Sequence, residues 1–474
     1  MLTIEQDLKF AFRTYCMKLS LKNALLISLC MFAVASFISI AAANVFLGIS
    51  VLLFLIITYK NKGVNIATDK LPYFKAIAVF AGALFVSALF SSDIAYGLKT
   101  WADFFIWRFI PFVMLLTVLD GETFGKKVLA AVIGGFAIDC LYAICWSVFI
   151  FKGKFDWIRA AGFVGHPMTL AGWTCILLPV LLVFIFRKDV AQKYHWLAIL
   201  LFAIGSVALL FNATRGAWLA LAVVLPLMSS FFILQNKKLL LISLALVLGV
   251  GTILVNNASF MKRVDSIDDL KNTSNRSRLI IWDTSIEMFK EHPVLGVGLG
   301  NYKNVYQNEY IAPRVDKEIN AIKKLRSFRT LKKSEQAVVL KAPVNLWKIQ
   351  GYKKLKKQER NEFNKAYSKF RFEYSLSKLN HAHNNLLQML AENGLVGFIG
   401  YICAFGFILW KNFKNFLLNK NPYALMIVGS TSALLLQGLT EYNFGNSSVM
   451  KIYWLVLACL IILASKYNDG MKNE

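Results

Sequence analysis

Three polar constellations in this chain have residue types and spacings that could do chemistry. The first is Asn212-Ala213-Thr214-Arg215-Gly216-Ala217-Trp218, where an arginine separates two apolar runs. A guanidinium there is costly unless it snorkels or meets an anion, and its fork of donors fits two phosphate oxygens. The second is Asn275-Arg276-Ser277-Arg278, with Trp282 four residues on. Cations at a helix start oppose the macrodipole. A nearby anion, held also by the helix's open N–H groups, would explain them. The third is His381-Ala382-His383-Asn384-Asn385, followed by Glu392-Asn393-Gly394 and Gly397. It holds two of the five histidines. A neutral imidazole is the side chain best matched to general-base work near pH 7.

Each has a plainer reading: a snorkelling Arg215, a solvated basic turn, a His383 that only packs. Arg159 with Gly165-His166-Pro167 makes a weaker fourth cluster, balanced between structural turn and site. Histidines two apart do not share a helical face, so a metal would need ligands from elsewhere. Asp265, Asp268 and Asp269 are the nearest carboxylate cluster and read as capping or solvated groups. No metal site is expected. Gly296, Gly298 and Gly300 lack the spacing and context of a dinucleotide fingerprint, and there is no Walker motif. The seven cysteines (Cys16, Cys30, Cys140, Cys145, Cys175, Cys403 and Cys459) form no CxxC and read as small hydrophobes.

The elements that must position these residues are membrane spans. Of 474 residues 57% are hydrophobic, and the mean hydropathy is +0.53. That excludes a soluble globular enzyme, a disordered chain and a disulfide scaffold. Apolar runs fall at 24–42, 44–59, 74–91, 101–119, 128–151, 168–186, 196–212, 216–234, 239–255, 394–411, 423–440 and 449–465. Each approaches the ~20 residues that cross a bilayer, and a lone span must be helical to satisfy its backbone. Lysines in alternate short loops put both termini in the cytoplasm. A signal peptide cut near Ala41–Ala43 is disfavoured, because the next apolar run follows at once.

The expected organisation is 1–255 with nine transmembrane helices, 256–393 as an external loop domain, and 394–474 with three more helices and a cytoplasmic tail. Residues 256–382 carry 26 Lys/Arg against 13 Asp/Glu, an excess equal to half the net charge of +26. Ser277–Glu291 has helical periodicity, and 314–380 suggests two or three amphipathic helices. The lysines of 314–378 would dock anionic cores or headgroups, or simply form a solvated surface.

Taken together, the motifs resemble the bacterial O-antigen ligase and O-antigen polymerase superfamily. His383-Asn384, nine residues, then Gly394-Leu395-Val396-Gly397 matches the ligase pattern in full. Arg278-x-x-x-Trp282 through Met288, Pro293, Gly296, Gly298 and Gly300 looks like the family's external loop. Thr214-Arg215-Gly216 looks like its Arg-Gly motif. The resemblance covers 160–310 and 380–450 and leaves out 314–378.

It implies an all-α polytopic membrane protein with about twelve transmembrane helices and a large helical periplasmic loop, similar to C-type membrane glycosyltransferases. It further implies a bacterial inner-membrane location with a periplasmic active site. The implied reaction moves a glycan from undecaprenyl diphosphate to lipid A-core (ligase) or to another carrier-linked glycan (polymerase). It takes place among membrane lipids, with no cofactor, no divalent metal and no nucleic acid. The diphosphate is already a good leaving group, so the protein need only stabilise its charge and deprotonate the attacking hydroxyl. Arg215 and Arg278 suit the first task and His383 the second. Arg276, Arg159, His166, His381 and Asn384 would join Arg215 and Arg278 in binding substrate. Direct attack would invert the anomeric centre. Ligation is the favoured reading, ahead of polymerisation and protein O-glycosylation. A transporter built around Asp139 and Arg108, or a non-catalytic scaffold, comes last.

Overall fold

A computed structural model describes residues 20–151, 159–187, 192–234, 255–256, 258–266, 269 and 272–473. Every regular element among them is helical. Among the described residues ten helices are long and apolar enough to cross a membrane: Leu21–Ile38, Ile40–Lys60, Leu71–Leu89, Ile94–Thr117, Glu122–Ile150, Pro167–Phe186, His195–Asn212, Arg215–Phe232, Asn385–Asn419 and Ser447–Met471. Pro422–Gln437 is a shorter apolar helix. The chain is an all-α polytopic membrane protein. These helices and the shorter one take up all the expected apolar runs except 239–255, which lies outside the described residues but for Val255.

Local chemistry sets the boundaries. The first two spans divide at Ser39, earlier than expected, because its extended backbone lets its hydroxyl accept the Ala42 N–H at 3.3 Å. The span over Ile94–Thr117 contains a π-helical turn, Asp103–Trp107, where the Arg108 N–H reaches back to the Asp103 carbonyl at 3.0 Å.

The chain divides into two compact units. One comprises Met1–Ala83, Trp101–Asp269 and Ile399–Glu474. Its centre is formed by Pro167–Phe186 and Ser447–Met471, most of whose residues are buried, whereas most residues of Ile40–Lys60 and His195–Asn212 are not. A helix that is apolar all round is stable only where protein or lipid surrounds it. Pro167–Phe186 packs against His195–Asn212, Arg215–Ile233 and Pro422–Gln437. Buried Arg108 is engaged: it binds Asp103 through Nε at 2.8 Å and the carbonyls of Phe444 and Gly445 at 2.9 and 3.0 Å.

The other unit comprises Leu84–Thr100 and Leu270–Phe398. It has two apolar clusters. One gathers Ile281, Met288, Tyr302, Tyr306, Leu376 and Ala382. The second lies within the Lys-rich insert and is built on Ile322, Phe328, Val339, Tyr352, Phe363 and Phe370. Beneath its exposed lysines the insert thus has a core of its own, and it holds five α-helices rather than two or three: Ala312–Lys324, Arg326–Arg329, Lys333–Lys341, Gln350–Lys354 and Lys357–Leu376. The extra breaks come from extended residues such as Leu325 and from carboxylate caps. Glu335 accepts the Lys332 N–H at 3.1 Å, and Glu359 the Lys356 N–H at 2.9 Å. A two-point Arg314–Glu373 pair, at 2.9 and 3.1 Å, ties the first of these helices to the last. Its hydrogen bonds hold the Arg314 guanidinium above its ordinary pKa.

Candidate active site

The membrane-helix unit carries Arg215, Arg159 and His166. The His195–Asn212 helix ends in a left-handed residue, Ala213 at φ 54°, whose N–H bonds back to Leu209 and Leu210. That sharp reversal starts the next helix at Arg215. Buried Asn212 fixes the turn: its Nδ2 donates to the carbonyls of Ala160 (2.6 Å) and Pro167 (2.8 Å), and its Oδ1 accepts the Thr214 hydroxyl. Arg159 lies across the same turn. Its Nε donates to the Asn212 carbonyl at 3.0 Å and its Nη2 to the Thr214 hydroxyl. A cation on the open carbonyls of a helix C-terminus is favourable. In this structure Arg159 therefore braces the Arg215 turn.

Arg215 is 9% exposed. Its Nη1 donates to the carbonyl of Ser266 and, at 3.1 Å, to the Ser266 hydroxyl. Gly216 is required by close approach: a Cβ there would collide with the hydroxyl of Thr440. His166 is exposed and precedes the Pro167–Phe186 helix, with Nδ1 3.5 Å from the Thr169 hydroxyl. Asp265 and Asp269 are exposed, and Asp268 lies outside the described residues.

The other unit carries Arg276, Arg278, His381, His383 and Asn384. The arginine helix begins at Thr273, before the expected Ser277, because Asn272 caps it by accepting the Ser274 N–H at 3.0 Å. Both arginines thus sit inside the helix. Arg276 is exposed and stacks over the Phe372 ring at 4.3 Å, whereas Arg278 is half-buried. One turn beyond Arg278, on the same face, the Trp282 indole donates to the Ala382 carbonyl at 3.1 Å. Ala382 is fully buried between the two histidines, and its N–H donates to Gln388 Oε1 at 2.7 Å. Trp282 and Gln388 therefore grip the histidine turn from both sides.

His381 and His383 are half-buried with ring centroids 4.1 Å apart. Helical spacing would have kept them apart. They meet because the segment is a turn, with His383 at φ 49° and its N–H on His381 Nδ1 at 3.3 Å. A non-glycine residue in the left-handed region costs energy and is over-represented at functional sites. Asn384 caps the following helix, its Oδ1 accepting from Leu386 and Leu387 at 2.9 and 3.1 Å.

The two glycine motifs of the sequence interlock. The Asn385–Asn419 helix breaks at Gly394, φ 59°, and Gly296, φ 66°, seats against the break; a Cβ on Gly394 would strike Val294, and one on Gly296 the Glu392–Asn393 peptide. Leu395 and Val396 donate to the carbonyls of Pro293 and Val294, and Val297 to that of Ala391. Buried Glu392 completes the joint, accepting the Gly300 N–H at 2.8 Å and the Gln388 amide at 3.0 Å. From Glu392 through Gln388 to Ala382, this joint holds the histidine turn in place.

Sequence reasoning missed the partners: Ser266 under Arg215, Thr440 against Gly216, and Gln388 and Phe372 in the other unit. Trp282 was visible as part of a motif, but nothing in the sequence pointed to its acceptor.

Residues 198–321 match the family model described as O-antigen ligase. The chain carries an O-antigen ligase-type domain. The matched segment contains Arg215, Arg276 and Arg278, whereas Arg159, His166 and the histidine turn lie outside it. No curated protein matches the chain. Glycan transfer of the O-antigen ligase or polymerase kind is the activity this domain supports, and the protein is a glycosyltransferase-like membrane enzyme.

Proposed function

We propose that the protein transfers a glycan from undecaprenyl diphosphate to lipid A-core on the periplasmic face of a bacterial inner membrane. The observation that carries this reading is the Trp282–Ala382 hydrogen bond, which ties the Arg278 helix to the turn bearing His383. It supports reading Arg278 as the cation for a diphosphate and His383 as the base for a hydroxyl of one site.

In the reaction an imidazole nitrogen of His383 takes the proton of the acceptor hydroxyl. The freed oxygen pair attacks the anomeric carbon, and the bond from that carbon to the diphosphate oxygen breaks with its electrons leaving on undecaprenyl diphosphate. Arg215 and Arg278 stabilise that charge as it develops. Arg276, His381, His166 and Asn384 bind the substrates, and Arg159 braces the turn that leads into Arg215. The single displacement inverts the anomeric centre and uses no metal or other cofactor.

The test is transfer by purified protein from a carrier-linked glycan to lipid A-core or to a second carrier-linked glycan. His383→Ala should slow transfer by about 10²–10⁴-fold with donor binding retained. Arg215→Lys and Arg278→Lys keep the charge but lose the fork, and should weaken both binding and transfer. Product on the second acceptor alone would make the enzyme a polymerase. Near-normal transfer by His383→Ala would refute the base assignment, and loss of activity on chelation would refute metal independence.

A further inference from the structure

The Lys-rich insert holds a pocket of about 640 Å³, lined by Val344, Trp347, Tyr352, Asn364, Tyr367 and Arg371 among others. It lies outside the family-matched segment, and its volume falls in the range of ligand sites, roughly 300–1,000 Å³. We propose that it is an oligosaccharide-binding site.

Its walls are built for that. One is the Lys357–Leu376 helix, whose Phe363, Tyr367 and Phe370 enter the insert's core. Asn364, Ser368 and Arg371 follow one another at helical spacing along the adjoining exposed stripe. The Asn364 carbonyl oxygen accepts the Tyr352 hydroxyl at 2.8 Å, which orients its amide nitrogen. That nitrogen, the Ser368 hydroxyl and the Arg371 guanidinium make no hydrogen bond to any described residue.

The other wall is the 343–349 loop. Tyr367 anchors it, its hydroxyl accepting the Val344 N–H at 2.7 Å. Asn345 caps the turn that follows, and Leu346 and Ile349 are buried in the core. With its neighbours pulled inward, Trp347 is turned outward and is 58% exposed. Its ring meets Tyr352 edge-on, with centroids 5.6 Å apart, and the Arg360 guanidinium lies 5.5 Å from its centroid.

A wide aromatic face beside a row of amide, hydroxyl and guanidinium groups matches a sugar ring. The ring's C–H face packs on the indole, while its hydroxyls, which both donate and accept, find partners along the stripe. A purely apolar ligand would leave that stripe without partners. The choice of a saccharide over other polar ligands rests on the glycan transfer proposed above. The pocket would hold sugar units of a glycan chain away from the reacting bond.

The test uses the full-length protein in detergent and, as probe, the free oligosaccharide released by mild acid from the carrier-linked glycan of the producing cells. The probe lacks diphosphate and polyprenol, so binding reports sugar contacts alone. Calorimetry should show saturable binding by the wild type and by His383→Ala. Trp347→Ala and Arg371→Ala should each weaken it by about tenfold, a loss of 1.4 kcal/mol, and Trp347→Phe should recover part of it. Trp347 and Arg371 are exposed, so unchanged circular dichroism and thermal transition are expected in both variants. Equal binding by wild type and Trp347→Ala would overturn the assignment, as would no binding by the wild type, whether or not that preparation transfers glycan. Loss of transfer with probe binding intact would count against the transfer chemistry and leave the pocket standing. If Trp347→Ala lowered binding to phosphatidylglycerol vesicles but not to the oligosaccharide, the pocket would be a headgroup site and the proposal wrong.

Discussion

Gly216→Ala is the sharpest test of how the Arg215 turn is built. The added methyl would collide with the Thr440 hydroxyl and stand 3.2 Å from the Thr440 Cβ. Overpacking of this kind costs about 1–3 kcal/mol. The strain falls on the residue next to Arg215, so it should also shift that guanidinium from Ser266. Thr440→Ala alone removes the hydroxyl that donates to the Gln437 carbonyl at 3.2 Å, a loss of about 1 kcal/mol. Joined to Gly216→Ala it also removes the colliding atom. The double variant should therefore be more stable than the sum of the single losses predicts, with a coupling of about 1 kcal/mol or more. For a chain of this length each kcal/mol moves a thermal midpoint by roughly 2 °C or less. The assay is thermal unfolding of the four proteins in one detergent, with glycan transfer measured in parallel. A Gly216→Ala protein with wild-type stability and transfer would refute the close-approach reasoning, since the Thr440 hydroxyl would then simply turn aside. Strict additivity would refute the pairing of these two residues.

Arg159→Ala removes two charged hydrogen bonds from the 212–214 turn, and at about 1.5–3 kcal/mol for a bond to a charged group the thermal midpoint and transfer should fall together. His383→Asn places a residue more tolerant of positive φ at 49°; the thermal midpoint should hold or rise while transfer collapses, and a fall in both would show that His383 is not a strained position. Glu335 is held below the ordinary glutamate pKa, chiefly by the Gly351 N–H at 3.0 Å. A lowered pKa gives stability that is present above the unfolded value and lost as pH falls through the folded one. Hydrogen exchange at the Gly351 amide, corrected for its intrinsic rate, should therefore accelerate in the wild type as pH falls below the ordinary glutamate range, and that dependence should flatten in Glu335→Gln.

The spans were legible because a bilayer leaves an apolar run one backbone solution. The register of the first break was not, since it depends on which serine, Ser39, turns extended and caps the next helix. The 314–378 insert was the least readable segment. Its lysines suggest a solvated surface, but its core is shared among helices of very unequal length, from Arg326–Arg329 to Lys357–Leu376. Ala312–Lys324 and Lys357–Leu376 each carry an apolar stripe at helical spacing (Val315, Ile319 and Ile322; Phe363, Tyr367 and Phe370), but the three helices between them are too short to show a period. Two of its helix starts rest on lone carboxylates, Glu335 and Glu359, which look like surface residues in a sequence.

At the candidate site the chemistry-bearing residues were legible and their supports were not. An arginine between two apolar runs and a histidine near a glycine pair are unusual enough to stand out, because burying or straining them needs a reason. Ser266, Thr440, Gln388 and Glu392 are ordinary residues made significant by chain reversals. The glycines show why the motif reads as it does. Gly394 and Gly296 let two backbones meet at a helix break, and Glu392 and Gln388 extend that joint to the Ala382 N–H between the two histidines. The nine residues between His383-Asn384 and Gly394 are thus the length of helix from the histidine turn to its foundation. On that account, inserting one residue between 385 and 393 should abolish transfer while the span that follows still forms. The insertion turns Gln388 and Glu392 off the face that carries the joint, since one residue rotates a helix by 100°. Retained transfer in such a variant would show that the motif's spacing serves something other than this support.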